Sequence, residues 1–438
     1  MKLIFWFVPA LLAGMLAGCA PGRTSGQAEA APIGLHVLDK GDETGCYLPC
    51  SRRRTGSRLL GYVDYQSLTA APLCRRAGCT HSSADCTAFF PAEETLEDIW
   101  VLDADCLLLS TWIAGDTDSR HAFYLADRQT GSRRQLFCSA DCLPETDRLL
   151  ADGDSLYFVA AFGEEGRFLC ELSLSDGSLE KRFSLSHLQS LEGVLGGRIL
   201  SLVYDWTGME ALVQPPSVAP EAFDEAWQKP DGITGNRWLR LLDPKGKSHG
   251  CAGGWQEETT ADIRSFVSDQ SRVWWMDLKG QAGFWDADGN AGQLQVHWPF
   301  IPTPEEQNGL SNSLLLTEGF TLLQNHLLVT ALRQDTIHSP LLYFRYSVDL
   351  STGEVQEIPL YYVANGVRLP VDLVAQSHGQ LLVRIFSAMR TTPAIGMYGE
   401  PFSSYEQTDR LGLIAPEDFL AGLPRYQEIE TSYHWFIN

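Results

Sequence analysis

The strongest constraint on the fold is a phrase of strands and tight turns that recurs along the chain. Each copy has an apolar run, a polar turn, a second apolar run, an aromatic-rich run and a closing Asp/Gly turn. The copies begin near Ile99, Leu149, Val194, Ile263, Phe320 and Leu373. Asp, Asn and Gly tolerate the positive φ that two-residue turns require, so the phrase predicts antiparallel hairpins.

The spacing of the hairpins predicts how they assemble. Pairs of hairpins at intervals of about 40 to 65 residues are typical of four-stranded blades packed around one axis. We predict an all-β propeller with seven blades, at 34–75, 96–140, 147–186, 190–256, 262–300, 314–360 and 368–430. Six or eight blades also fit the pattern, and a pair of β-sandwiches is the second architecture it allows. Two stretches that interrupt the repeat, 207–237 and 387–409, are predicted to be inserted loops.

The N-terminus predicts export and anchoring. Lys2 precedes a short apolar stretch that ends in Leu16-Ala17-Gly18-Cys19, which resembles the lipobox of bacterial lipoproteins. We therefore expect a signal peptide at 1–18, a lipidated Cys19 with a flexible tether to residue 33, and a propeller domain at 34–438. The expected location is the extracytoplasmic face of the cell membrane. A signal peptide cut a few residues later, or an uncleaved anchor, would also explain the apolar stretch.

The net charge narrows the classes of partner. The formal charge is −22, and loss of residues 1–18 removes Lys2 and no acidic residue, which leaves −23. Such a surface repels phosphate backbones, so we expect no nucleic-acid partner. The membrane is an expected partner through the N-terminal lipid. The charge does not identify any other partner, and the sequence does not predict the oligomeric state.

The densest chemical motif is a cysteine-rich segment, Cys74-x4-Cys79-x-His81-x4-Cys86. Three thiols and an imidazole on one short loop are an adequate ligand set for tetrahedral zinc, although the spacing differs from common C-x2-C zinc motifs. Disulfide bonding outside the cytoplasm competes with this interpretation and is the one we favour from the sequence. Redox chemistry is the third alternative. The cysteines that remain after Cys19 number ten, at positions 46, 50, 74, 79, 86, 106, 138, 142, 170 and 251, which permits full pairing.

The lipobox, the repeated hairpins and the Pro72-Leu73-Cys74 segment together resemble a group of uncharacterised propeller-like lipoproteins of anaerobic Gram-positive bacteria. The resemblance extends over most of the chain, and the cysteine segment is its distinctive signature. It implies a surface location and a propeller-like fold. It implies no reaction, so it transfers no catalytic residue.

A search for catalytic motifs finds none on which to base an activity. The chain lacks a phosphate-binding glycine loop, a G-x-S-x-G elbow and an H-E-x-x-H helix. We therefore expect a binding or scaffold module for a protein, peptide or glycan. We expect no cofactor, with zinc at the cysteine segment as the alternative to disulfide bonds. The alternatives are a glycan hydrolase or lyase with its site in the propeller channel, and a structural role in the envelope.

Overall fold

The structure, a computed structural model, describes residues 34–51, 57–115, 118–185, 189–206, 235–244, 258–259, 263–277, 280–299, 314–316, 320–333, 340–364, 366–377, 379–395 and 401–435. The described chain is nearly all β and forms seven blades arranged as a β-propeller. The predicted fold class and blade number are therefore confirmed. Cys19 and Cys251 lie outside the described residues, as does the predicted inserted loop between 207 and 234.

The first three blades hold the N-terminal half of the fold. A short strand precedes them, β1 (His36–Val37). Blade 1 contains β2 (Gly45–Ser51), β3 (Arg58–Asp64), β4 (Thr69–Pro72) and β5 (Phe89–Phe90). Blade 2 contains β6 (Glu94–Val101), β7 (Cys106–Ile113), β8 (Arg120–Asp127) and β9 (Arg133–Ser139). Blade 3 contains β10 (Leu143–Asp152), β11 (Ser155–Ala161), a 3₁₀ turn (Gly163–Glu165), β12 (Arg167–Ser173) and β13 (Leu179–Leu185).

The next three blades follow the same order. Blade 4 contains β14 (Gln189–Leu195), β15 (Arg198–Trp206), β16 (Gly235–Leu242) and β17 (Glu258–Thr259). Blade 5 contains β18 (Ile263–Ser268), β19 (Arg272–Asp277), β20 (Ala282–Asp286) and β21 (Ala291–Leu294). Blade 6 contains β22 (Leu314–Leu316), β23 (Thr321–Leu323), β24 (His326–Arg333), β25 (Leu342–Asp349) and β26 (Val355–Glu357).

Blade 7 and the C-terminal segment complete the ring. A separate hairpin, β27 (Tyr361–Ala364) and β28 (Val367–Pro370), precedes the blade. Blade 7 contains β29 (Asp372–Ser377), β30 (Gln380–Ile395), β31 (Pro401–Ile414), helix α1 (Pro416–Leu420) and β32 (Gln427–Glu428). The strands β33 (Glu430–Thr431) and β34 (His434–Trp435) then join blade 1. No helix in the described part of the chain is long and apolar enough to cross a membrane.

The boundaries of the first predicted blade are wrong at its N-terminal side. Residues 36–37 form β1, which pairs with β10 of blade 3, whereas β34 pairs with β2 at Cys50 and Ser51. The free edge of β2 needs a partner strand, and the C-terminal segment reaches it after blade 7. The strand that completes blade 1 therefore comes from the opposite end of the chain.

The predicted loop at 387–409 is also wrong. Strands β30 and β31 continue their pairing from Leu381↔Ile414 to Ile395↔Pro401, so that most of this stretch is a long hairpin. The Gly, Pro and Ser content indicated a loop, but the Thr, Tyr and Phe residues between them favour extended backbone.

The hydrophobic core lies between neighbouring blades. Trp274 and Trp275, adjacent on β19, pack into two different clusters because successive strand residues point to opposite faces. Trp274 packs with Val329 of blade 6, and Trp275 packs against the cluster that contains Leu200 of blade 4. Each blade thus buries both of its faces only when its neighbours are present.

The turns that join the first strand of a blade to the second, and the third strand to the fourth, lie at one end of the propeller, which we call the turn face. They include residues 102–105, 128–132, 153–154, 174–178, 196–197, 269–271, 287–290, 324–325 and 350–354. Turns of one blade hydrogen-bond to each other, as in Arg128 N–H to Asp105 O (2.9 Å) and Leu174 N–H to Asp154 O (2.8 Å). The chain enters the propeller at the same end. Leu38 N–H donates to Leu149 O near the turn after β10, and Val101 N–H donates to Asp39 O near the turn after β6.

Candidate metal centre

The cysteine segment is a large bulge in the outer strand of blade 1. Strands β4 and β5 both pair with β3, and residues 73–88, the metal loop, lie between them. Leu60 closes the base of the metal loop, since its carbonyl accepts from Leu73 N–H and its N–H donates to Ala88 O, each at 2.8 Å. The two ends of the metal loop are therefore held side by side by one residue of β3.

Short turns direct the four predicted ligands inward. Cys79 N–H donates to Arg76 O (3.1 Å), and Cys86 N–H donates to Ser83 O (3.0 Å). Gly78 has φ +69° and His81 has φ +49°, so the backbone is left-handed on both sides of Cys79. Histidine adopts the left-handed conformation more readily than most non-glycine residues, and residues held in this conformation cluster at functional sites.

The structure brings Cys74, Cys79, His81 and Cys86 together. One ligand atom from each lies within 4.8 Å of every other, and His81 Nδ1 is 3.2 Å from Cys86 Sγ. Tetrahedral zinc with zinc–sulfur bonds near 2.3 Å needs sulfur atoms about 3.8 Å apart. The described side chains thus form a Cys₃His cluster that could hold a metal, with a contraction of roughly 1 Å at most.

The surroundings of Cys79 and Cys86 shift the pKa values of these two thiols in opposite directions. The backbone N–H of His81 points at Cys79 Sγ (3.4 Å) and lowers the pKa of that thiol. Burial raises the pKa of the Cys86 thiol, which packs among Leu60, Phe90 and Leu107. A divalent cation would favour the thiolate form of both residues, because metal binding displaces thiol protons.

The ligand count indicates what such a site can do. Three thiolates and one imidazole fill all four positions of a tetrahedral ion, whereas catalytic zinc keeps one position for water or substrate. The cluster therefore has the composition of a closed, structural site.

The disulfide framework expected from the sequence is not found among the described cysteines. The nine described cysteines are all free thiols: Cys46, Cys50, Cys74, Cys79, Cys86, Cys106, Cys138, Cys142 and Cys170. Cys46 and Cys50 lie on the single strand β2, where four residues span about 13 Å, well beyond disulfide reach. Both are buried, and burial raises the pKa of the Cys46 thiol to about 12, so they behave as apolar core residues.

Sequence reasoning missed two residues that border the metal loop. The ring of Tyr433 meets the ring of His81 edge-on at a centroid distance of 6.4 Å. Arg133 of blade 2 donates to Thr87 O (3.0 Å) and Phe89 O (3.1 Å), and its guanidinium lies 3.8 Å from the centre of the Phe90 ring. Neither residue belongs to a local motif, so no sequence signal could have associated them with the cluster.

Comparisons with known proteins concern the fold alone. No protein-family model and no curated protein matches the chain. Among solved structures, a prolyl endopeptidase is similar in fold, with 8% sequence identity and a TM-score of 0.47. The match covers 92% of this chain and 50% of the prolyl endopeptidase. Pyrococcus horikoshii acylaminoacyl peptidase is 12% identical with a TM-score of 0.41, and the match covers 77% of this chain and 52% of the peptidase. The oligogalacturonate lyase of Vibrio parahaemolyticus is 12% identical with a TM-score of 0.40, and the match covers 89% of this chain and 86% of the lyase. The chain spans about half the length of the two peptidases.

Proposed function

We propose that this protein is a zinc-stabilised β-propeller that serves as a binding or scaffold module on the extracytoplasmic face of the cell membrane. The observation that carries the metal assignment is the convergence of Cys74, Cys79, His81 and Cys86 within 4.8 Å. Sulfur and nitrogen ligands in this number favour zinc over magnesium or calcium, which prefer oxygen. Zinc would hold the metal loop in place and take no part in a reaction.

The anchor follows from the N-terminal sequence. Cys19 would carry the lipid, and residues up to 33 would connect it to the propeller. Because Leu38 and Asp39 bond to the inner strands beside the turn face, the tether would join the propeller at that end. The opposite end, which holds the connection at 162–166, would then be turned away from the membrane and available to a ligand.

The metal content of the purified protein tests the zinc assignment. The Cys19→Ser variant, which cannot be lipidated, is exported and purified without reductant or chelator, and its zinc content and intact mass are measured. We expect one zinc per chain and a mass that shows no loss of hydrogen from thiols. Cys79→Ser should lose the zinc, whereas Cys106→Ser, a matched change of a half-buried thiol outside the cluster, should keep it.

The opposite result would restore the disulfide interpretation. A mass lower by about 2 Da for each cysteine pair, with no bound metal, would assign residues 74–86 to disulfide bonds. A glycan-binding screen with the same protein tests the binding role. Retention of intact glycan, peptide or protein ligands supports it, whereas shortened glycan products would favour a hydrolase or lyase.

A further inference from the structure

The ring of blades is closed by residues 429–435, the closing segment, which lies between blades 7 and 1. Ile429 N–H donates to Leu411 O of blade 7 (3.0 Å), and the next residue, Glu430, donates its N–H to Leu68 O of blade 1 (2.8 Å). Thr431 then lies opposite Ala70 in a parallel pairing. The closing segment therefore holds the first and last blades together through its backbone.

Side chains order the end of the closing segment. Thr431 Oγ1 accepts from Tyr433 N–H (3.1 Å) and from Trp435 Nε1 (3.0 Å). Trp435 is buried in a cluster formed by blades 1 and 7. Its ring occupies the space over Gly61, where a Cβ atom would lie only 2.5 Å from it. The geometry of Tyr433 is thus set by its docked neighbours on both sides.

The metal loop contacts the closing segment through one of its own ligands. The imidazole of His81 has Nδ1 directed at Cys86 Sγ, and the same ring meets Tyr433 edge-on. A metal ion that fixes this imidazole would also fix the surface on which Tyr433 packs. Edge-on packing of two aromatic rings is favourable at this distance, so an ordered imidazole would favour docking of Tyr433.

The metal loop also contacts blade 2, on its other side. Thr87 Oγ1 donates to Thr130 O (2.7 Å), and Arg133 binds the Thr87 and Phe89 carbonyls. Residues of the metal loop therefore contact both neighbours of blade 1, namely blade 2 and the segment that arrives from blade 7.

We propose that the metal loop is a clasp in which zinc binding and docking of the closing segment are thermodynamically coupled, with Tyr433 as the positioning residue for His81. The inference rests on the proposed zinc site. Coupling is reciprocal, so docking of Tyr433 must raise the affinity for zinc by the same factor by which zinc strengthens that docking.

Zinc competition with a fluorescent chelator tests one direction of the coupling in the Cys19→Ser protein. Loss of an aromatic contact in Tyr433→Ala should lower zinc affinity about 2- to 10-fold. Tyr433→Phe should retain the affinity, because it keeps the ring. Phe162→Ala removes a comparable edge-on contact with Phe168 (5.8 Å) in blade 3 and should leave zinc affinity unchanged.

Hydrogen exchange tests the other direction without any change to Tyr433. Removal of zinc should speed exchange across 429–435. A comparable segment lies between blades 5 and 6, where His297 forms a similar parallel bridge with Glu354. Removal of zinc should leave the exchange rates of that segment unchanged. The clasp would be overturned if Tyr433→Ala bound zinc as tightly as the parent protein and if removal of zinc left hydrogen exchange across 429–435 unchanged. The proposed zinc site would not be affected by that result. Absence of zinc binding by the parent protein would overturn both.

Discussion

At the scale of single residues, His121 is a polar side chain in an apolar position. It is 8% exposed, and neither ring nitrogen has a hydrogen-bond partner among the described residues. Its ring packs edge-on against Trp112 at 4.4 Å, and its Nδ1 is 3.7 Å from a carboxylate oxygen of Glu97. Buried polar groups without partners cost stability, so the two ring nitrogens reduce what the packing of His121 contributes to blade 2.

We expect His121→Phe to stabilise the protein at pH 7 by about 1 kcal/mol, because the variant keeps the contact with Trp112 and removes two unsatisfied nitrogens. Burial lowers the pKa of His121, so the folded protein disfavours the imidazolium. The parent protein should therefore lose stability as the pH falls below about 6.5, where the unfolded histidine binds a proton.

Thermal unfolding of His121→Phe and the parent at pH 7 and pH 5 measures both effects. The stability of the variant relative to the parent should be larger at pH 5 than at pH 7. A variant that is less stable at both values would show that the imidazole makes a favourable bond in solution.

At the scale of elements, the closing Asp/Gly turns have a second role that the strand pattern does not reveal. Gly131, Gly177 and Gly353 each have φ near +70°, and each lies against the outer strand region of the preceding blade. A Cβ atom would lie 2.0 Å from Leu136 O at Gly177 and 1.9 Å from Gln295 O at Gly353. These turns are therefore contacts between blades as well as connections within them.

A pair of glycine substitutions separates the two roles. Gly153 has φ +60° with open space around it, so Gly153→Ala should cost only the backbone strain of about 1–2 kcal/mol. Gly353→Ala has the same strain and a steric clash with Gln295, and should cost roughly 1–3 kcal/mol more. Thermal or urea unfolding of the two variants measures the difference. Equal losses would contradict an interblade role for the turn.

At the scale of the whole molecule, the two ends of the propeller differ in what they hold. The turn face has the short turns and receives the N-terminal segment, where Arg128 binds Asp42, Tyr47 Oη (3.1 Å) and Asp103 O (2.9 Å). These bonds fix residues 39–44 before β2 begins. Under the proposed lipidation of Cys19, the flexible tether would reach the propeller at the turn face, so we expect that end to lie nearer to the membrane on average.

Energy transfer to an acceptor lipid tests this expected orientation in protein expressed with its own N-terminal sequence. Fluorescent non-natural amino acids are placed at Asp176, in a turn of blade 3 on the turn face, or at Glu164, at the other end of the same blade. We expect stronger transfer to the bilayer from position 176 than from position 164. Equal transfer, or the reverse order, would contradict the orientation.

Much of this architecture could be predicted from the sequence because the interactions that specify it are local. Hairpins such as β10–β11 depend on a few consecutive residues, with Gly153 in the turn, and their repetition predicts blades. The metal-loop ligands are likewise local, because thirteen consecutive residues from Cys74 to Cys86 contain all four. Sequence reasoning could therefore name the ligand set, although it ranked disulfide bonds above metal.

Only the tertiary structure decided which distant segments meet. That β34 completes blade 1 and that Tyr433 lies beside His81 both depend on closure of the ring, which brings together residues hundreds of positions apart. That β1 joins blade 3 depends on tertiary pairing over a shorter separation in the chain. The state of the cysteines also needed the structure, although it does not depend on closure of the ring. An even count permitted pairing, but the strand that separates Cys46 from Cys50 and the bulge that gathers residues 74–86 determine which sulfur atoms can approach one another.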